Sequence, residues 1–345
     1  MNPPNDSDRG SVFSAATNTG GQAEASDAAA APTDVEDNIA VDCAVSGRRV
    51  SAIVVTYWTG PVLPDCVEAL LAQQEVEQVV VIDNGNPTVT RQWLATWAAE
   101  EPRLTLVLPG RNTGFSAGCN LGAAQATGDC LAFVNPDCVL APGTVGRFLD
   151  VCRDEPKAWV CGGRLEHPDG TEQRGGRREI LSPWRAFVEL LRFDRLFPDH
   201  PYFRRLHMYE DAPIGEVREV PTVSGAFMLI PKRAYDRLGG MDDNMFLHFE
   251  DADLCIRVGQ QGGRVLYCGD IPVTHHLSTS DVSRTFIEWH KTRSTSYYFY
   301  KHFNVFYPYW FLMIVSGILW VRFIILAPKL IFGDLPGMVR RLRRR

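Results

Sequence analysis

Three carboxylates crowd one short run of the chain, Phe249-Glu250-Asp251-Ala252-Asp253-Leu254-Cys255-Ile256-Arg257. Phe249, Leu254 and Ile256 sit among them, more apolar material than a solvated acidic surface usually carries. A carboxylate held against apolar walls has its charged form disfavoured, so its pKa rises and it is suited to accept a proton. Asp251 is the expected acceptor. Asp253 and Arg257 stand four apart, the spacing of a helical ion pair. Glu250 is open between capping a helix start, where the dipole favours acids, and touching a substrate.

Other candidates stand at turn signals. Asp83 ends the apolar run 78–82 and opens Asp83-Asn84-Gly85-Asn86-Pro87. Its carboxylate could accept from a nucleobase imide N–H or a ribose hydroxyl, or simply close an Asx-type turn. The stretch from Gly110 to Asn120 follows a predicted strand and opens a predicted helix. Its glycines would let backbone approach a phosphate at the helix N-terminus, or allow a turn with close helix packing; its spacing matches neither G-x-G-x-x-G nor the P-loop. Asn135-Pro136-Asp137 could place a hard oxygen ligand for Mg2+ or Mn2+ at a strand end, or Pro136 could just stop the strand. Cys138 stands where a second metal-binding acid would be. His275 could complete the metal site or bind a diphosphate, with His276 as its competitor.

These positions need a scaffold, and the hydrophobic pattern supplies one. Short β-branched runs at 50–57, 78–82, 104–108 and 130–134 predict buried strands. Helical patterns at 64–72, 89–100 and 117–126 alternate with them, which predicts an α/β domain with a mostly parallel sheet. Ligands bind beyond the carboxyl ends of such strands, where Asp83 and Asp137 lie. Residues 164–219 are less regular, with a helix at 184–192. A strand at 223–230, helices at 233–238 and 251–260, and a strand at 264–267 complete the pattern.

The margins bound the remaining possibilities. A net charge of −6 argues against nucleic acid as the main partner. None of the nine cysteines has Cys-x-x-Cys spacing, so they read as small buried hydrophobes in a reducing compartment. Residues 1–47 have little to bury and lack the basic start and apolar stretch of a signal peptide, which predicts a disordered extension and a cytosolic catalytic part. Phe303 to Val321 contains no charge, and these nineteen residues barely suffice to span a bilayer. Arg322 and Pro328 interrupt the apolar region, and basic residues flank it on both sides. An interfacial or re-entrant helix with a basic anchor is therefore the alternative to a span.

The order of these motifs resembles the family-2 glycosyltransferases, in particular their rhamnosyltransferase-like members, from about Val50 to His302. The resemblance rests on Val81-Ile82-Asp83-Asn84, the Asn-x-Gly-Phe-x-x-Gly-x-Asn loop from Asn112 to Asn120, and Asn135-Pro136-Asp137. It continues through Ser224-Gly225-Ala226, Gly239-Gly240-Met241-Asp242-Asp243, Glu250 to Arg257, and His275 with Ser278. It implies a GT-A fold over 48–302, with a nucleotide-sugar half at 48–150 and an acceptor half at 151–302, and a membrane-associated segment at 303–345. It implies that Thr56, Tyr57, Asp83 and Asn84 frame the base, and that Asn112, Gly114, Phe115 and Asn120 lie near the ribose and phosphates. Asp137 and His275 would hold Mg2+ or Mn2+ at the diphosphate. Asp251 would be the catalytic base, with Glu250 and Arg293 near the acceptor or diphosphate.

The implied reaction is inverting transfer from a nucleotide-sugar donor, dTDP-L-rhamnose, to a lipid-linked saccharide acceptor such as GlcNAc-diphospho-polyprenol at the cytoplasmic membrane surface. Galactofuranosyl or other hexosyl transfer, and an inactive membrane-bound sugar-nucleotide sensor, are the alternatives. A sugar-nucleotide pyrophosphorylase fits less well, because Thr56-Tyr57-Trp58 stand where its Gly-rich loop would begin.

Overall fold

The computed structural model describes residues 49–193, 215–277 and 280–344, so the expectation for residues 1–47 and the Ser278 motif position lie outside the described residues. The first half alternates as its pattern requires: β1 (Val50–Thr56), α1 (Leu63–Leu71), β2 (Val76–Asp83), α2 (Thr88–Glu100), β3 (Leu104–Val107), α3 (Phe115–Gln125) and β4 (Cys130–Val134). Then follow β5 (Cys138–Val139), α4 (Thr144–Asp154), β6 (Ala158–Glu166), β7 (Arg177–Arg178), α5 (Pro183–Leu190), β8 (Val217–Glu219), β9 (Thr222–Val223) and β10 (Phe227–Pro231). The chain continues through α6 (Lys232–Arg237), α7 (Glu250–Gln260), β11 (Arg264–His275), α8 (Arg284–Phe303) and α9 (Tyr309–Arg344).

The main sheet has the order β3-β2-β1-β4-β10-β6-β11-β5, with β8 also on β11. From β3 to β4 every pairing is parallel; β10 runs antiparallel to β4 and β6, and β6 pairs parallel with β11. Side chains alternate across a strand, so β1 feeds two cores at once. Val50, Ala52 and Val54 pack under α1 and α4, while Ile53 and Val55 pack under α3, α6 and α7. Two glycines let α3 lie close on β1: a Cβ at Gly118 would come 2.7 Å from Val55, and one at Gly122 would come 2.4 Å from Ile53.

Several elements differ from the sequence pattern. The apolar run at 223–230 is divided, with Ser224-Gly225-Ala226 turning between β9 and β10. β11 continues past the expected 264–267 to His275 through an irregularity between Cys268 and Pro272. The pattern did not mark α4, β6 or α8. Among the described residues seven cysteines are buried free thiols, as expected, but Cys130 is disulfide-bonded and departs from that reading. The uncharged stretch at 303–321 is broken: α8 ends at Phe303 and α9 starts at Tyr309.

Candidate active site

The carboxyl ends of β1 and β2 open onto a cavity of about 300 Å³ lined by Tyr57, Trp58, Asn84, Asn86, Arg91 and Asn112 among others. Asp83 closes β2 beneath it, and its two oxygens divide the two readings of this residue. Oδ1 accepts from the amides of Gly85 (2.9 Å) and Asn86 (2.7 Å) and from Asn86 Nδ2 (3.0 Å), which is the Asx turn. Oδ2 is buried with no hydrogen-bond partner, and Arg91 Nε stands 3.6 Å away. A buried carboxylate oxygen without a donor is costly and suits a ligand N–H or O–H. Thr56 braces the turn: its hydroxyl donates to the Ile82 carbonyl (3.1 Å) and accepts from Asn86 Nδ2 (2.6 Å).

Asn84 ties this strand end to the glycine loop. Its Nδ2 donates to the Gly114 carbonyl (2.9 Å), and its Oδ1 accepts from Thr113 Oγ1 (2.9 Å). Asn112 Oδ1 accepts from the Gly114 amide (3.0 Å). Gly114 has φ +89°, and a Cβ there would lie 2.6 Å from the Phe246 carbonyl, so only glycine fits. The Phe115 amide donates to that same carbonyl (2.7 Å). The loop thereby holds the segment that leads into α7.

Of the loop residues, Asn112 lines the cavity, whereas Gly114, Phe115 and Asn120 do not. Asn120 is held by other contacts. Its Oδ1 accepts from Tyr235 Oη and the Met241 amide (2.9 Å), and its Nδ2 donates to the Met241 carbonyl (2.8 Å) and Asp243 Oδ1 (2.6 Å). Its side chain fastens α3 to the Gly-Gly-Met-Asp-Asp loop and is fully occupied in doing so.

Asp137 and His275 meet although they are far apart in sequence. Asp137 Oδ1 is 3.1 Å from His275 Nε2, and both residues are buried. Gln173 sets the ring. Its Nε2 donates to the carbonyls of His275 and Glu166, which leaves Oε1 to accept from His275 Nδ1–H at 2.9 Å. With the ring in that tautomer, Nε2 and the Asp137 carboxylate present two donor atoms side by side that a divalent cation would share. Cys138 is within reach of both, but burial pushes its thiol pKa well up, and it donates to the Ala226 carbonyl at 3.3 Å. One carboxylate oxygen and one imidazole nitrogen, without thiolate, are a donor set that would hold Mn2+ or Mg2+.

Asp251 lies in the first turn of α7. Its Oδ2 accepts from Arg178 Nη2 (2.5 Å) and the Gly225 amide (2.9 Å), and its Oδ1 accepts from the Ala252 amide (2.7 Å). Burial alone would raise this carboxyl. The Arg178 guanidinium and the two amides outweigh burial and hold it below the usual carboxylate value. The raised pKa expected of Asp251 belongs to its neighbour. Burial, with the Asp251 charge adding, pushes Glu250 up to about 8, and Glu250 Oε2 has no hydrogen-bond partner. Backbone strain marks the approach: His248 (φ +68°) and Phe249 (φ +72°) are consecutive non-glycine residues in the left-handed region.

The turn at 224–226 couples the two centres. The Gly225 amide holds Asp251, while the Ala226 carbonyl accepts from the Asn135 amide (2.8 Å) and from Cys138, on either side of Asp137. Asp253, by contrast, is structural, as its spacing predicts: it takes Arg257 (2.8 Å), Lys301 (2.6 Å) and His302 (2.7 Å), locking α7 to α8. Arg293, expected near the acceptor or diphosphate, is exposed on α8, and its guanidinium lies 5.9 Å over the Trp289 ring. Lys291 is the α8 cation whose charge, after burial, depresses His248 to about 4.

The family-2 glycosyltransferase model matches residues 51–239, from β1 through α6. The chain belongs to glycosyl transferase family 2. It is therefore a sugar transferase of an inverting family. It is similar to the N-acetylglucosaminyl-diphospho-decaprenol L-rhamnosyltransferase of Mycobacterium tuberculosis, at 27% identity over 66% of this chain and 76% of that one. It is also similar to a rhamnosyltransferase of Escherichia coli K12, at 24% identity over 70% of this chain and 89% of that one. A glucosyl-dolichyl phosphate glucuronosyltransferase of Haloferax volcanii is 25% identical over 71% and 74%. Among solved structures, GalNAc-T7 with UDP, GalNAc and Mn2+ superposes with TM-score 0.52 at 14% identity over 73% of this chain; the chain spans about half (49%) of that structure's length. The fold is thus GT-A-like.

Sequence reading of this glycosyltransferase missed Arg178, Gln173 and Lys291. Arg178 and Gln173 lie in the irregular stretch after β6, where no periodicity flags a residue. Lys291 falls in α8, which the pattern did not mark.

Proposed function

We propose that this glycosyltransferase moves L-rhamnose from dTDP-L-rhamnose to a hydroxyl of a lipid-linked saccharide, such as GlcNAc-diphospho-polyprenol, at the cytoplasmic membrane surface during cell-wall or surface polysaccharide synthesis. The observation that carries the transfer chemistry is the Asp251 carboxylate, buried, ionised by Arg178 and held by the turn that also holds the Asp137 strand end. Two rhamnosyltransferases among the relatives support the sugar, and one of them names a lipid-linked acceptor.

The donor base sits in the cavity at the ends of β1 and β2, with its imide N–H toward Asp83 Oδ2, which has no hydrogen-bond donor and faces Arg91 at 3.6 Å. Asp137 and His275 hold the divalent cation, whose chemistry is to neutralise charge on the departing diphosphate. The Asp251 oxygens have unequal duties. Oδ2 carries Arg178 and Gly225, whereas Oδ1, among the described residues, carries the Ala252 amide and keeps a second acceptor direction. The acceptor hydroxyl donates there and passes its proton to Oδ1 as its oxygen bonds the anomeric carbon and the diphosphate leaves from the opposite face. A carboxylate of low pKa is a modest base but is ionised throughout the physiological range, and transfer is demanded only as the hydroxyl acidifies in the transition state. General-base help of this kind is worth about 10²–10⁴-fold. Lys291 and His248 border this site.

A second reading, transfer of another hexose, is supported by the glucuronosyltransferase relative. Thermal-shift measurements with dTDP-, UDP- and GDP-sugars, each with and without Mn2+, separate the two. The proposal predicts the largest shift with dTDP-L-rhamnose, enlarged by Mn2+. A response confined to UDP-sugars would reject rhamnose as the donor sugar.

A further inference from the structure

Helix α9 turns one apolar stripe outward. Trp310, Met313, Ile314, Val321, Ile325 and Phe332 are exposed and recur at helical spacing along a single face. The opposite face is packed on protein: Leu312 and Val315 are fully buried with Tyr298 and Phe299 of α8. The Asp334 carboxylate, far along α9, caps the start of α8. It accepts from Ser283 Oγ (2.5 Å) and from the amides of Arg284 (3.1 Å) and Thr285 (3.1 Å). Between these contacts Arg322 Nη1 pairs with Glu288 Oε2 at 3.1 Å. The two helices therefore run antiparallel and side by side for the full length of α8.

Residues Tyr309–Asp334 are long and apolar enough to cross a membrane. A crossing would drag Glu288, Lys291 and Arg293 of α8 into hydrocarbon and set the Arg322–Glu288 pair near its middle, where ionised side chains are costly. An orientation parallel to the surface has no such conflict. Arg322 and Lys329, seven apart, share one flank of the stripe, a position from which long basic side chains extend toward headgroup phosphates on a surface-lying helix. Five arginines follow between 340 and 345, the kind of cluster that anionic lipid attracts.

We propose that α9 is an in-plane helix, its stripe embedded at the boundary of headgroups and acyl chains of an anionic lipid surface and its other face carrying the glycosyltransferase domain. The lipid surface seats the active site on the membrane without a span. This deepens the proposed function and rests on it for the reason a membrane is needed, but the geometry is testable without any sugar.

Nitroxide labels at Ile314→Cys and Ile325→Cys in the full chain, on vesicles of phosphatidylglycerol and phosphatidylcholine, read depth directly, with the unsubstituted chain as background. Eleven residues of helix separate the labels by about 16 Å along the axis. The in-plane helix predicts equal, shallow depths; depths differing by most of that distance would overturn it. Ile325→Glu should lower vesicle binding at least tenfold while leaving the donor-induced thermal shift unchanged, which also reports that the variant is folded. Failure of the parent chain to bind these vesicles, or burial of the stripe in a dimer that persists with lipid present, would likewise overturn the proposal. If donor binding fails while the depths are equal, the functional reading falls and the in-plane helix stands.

Discussion

Arg178 Nη2 lies 2.5 Å from Asp251 Oδ2, joining the short strand β7 to the first turn of α7 across seventy-three positions of sequence. Both side chains are mostly buried, so the pair is electrostatically strong, and breaking it leaves a charge without its partner. Arg178 also donates to the Val223 carbonyl at 3.1 Å, so it holds Asp251 and the β9–β10 turn together.

Arg178→Gln should therefore cost about 3–5 kcal/mol of stability at neutral pH, as removal of one partner of a buried pair does. It should also move the acid limb of kcat/KM upward. The folded-state pKa of Asp251 is depressed, so its stabilising contribution is present above the unfolded value near 3.8 and is lost as pH falls through the lower folded value. Without Arg178, burial raises the carboxyl: the stabilising contribution disappears, and the catalytic carboxylate is protonated at higher pH, which moves the acid limb. Urea denaturation and a pH–rate profile of the variant check both effects.

Glu250 has the opposite linkage. Its folded pKa is raised from 4.5 to about 8, so the folded state holds its proton more tightly than the unfolded chain. The resulting destabilisation accumulates as pH rises from about 4.5 to about 8 and is constant above that. Glu250→Gln should gain stability over the parent across that window and match it below. Denaturation midpoints of the two chains from pH 4 to 9 test this, and parallel curves would refute the assignment.

Asp83→Asn keeps the turn acceptor but replaces the free charged oxygen. Loss of a charge-assisted hydrogen bond of about 1.5–3 kcal/mol should weaken donor binding roughly 10–100-fold, with a smaller change in kcat. Calorimetric titration with the nucleotide-sugar reads the affinity directly.

Gln173→Leu removes the group that orients His275 and so should lower Mn2+ affinity about 10–100-fold, as loss of an outer-shell partner does. Mn2+ binding followed by electron paramagnetic resonance checks this without turnover.

Much of this organisation was legible in the sequence. The β-branched runs at β1, β2 and β4 marked the strands that carry Asp83 and Asp137, because buried parallel strands leave a continuous apolar signal. The turn reading of Asp83 was present in Asp-Asn-Gly, and the structure shows that turn on Oδ1; the ligand reading stays with the proposed function. Asn120 misled, since its motif position does not reveal that Tyr235 and Met241 absorb its amide. Arg178 was invisible for a physical reason: the pKa of Asp251 depends on a cation delivered by a two-residue strand in an aperiodic segment. Local composition could show apolar walls around the acids, but not which acid they would neutralise and which the guanidinium would keep charged.

The central claim is that Asp251 takes the acceptor proton. Asp251→Asn keeps the shape of the side chain and one of its two acceptor oxygens and removes its basicity. Single-turnover transfer by this variant, measured beside donor binding on the same preparation, tests the claim most directly. A fall of about 10²–10⁴-fold in transfer with donor affinity unchanged is the predicted result; near-normal transfer would contradict it.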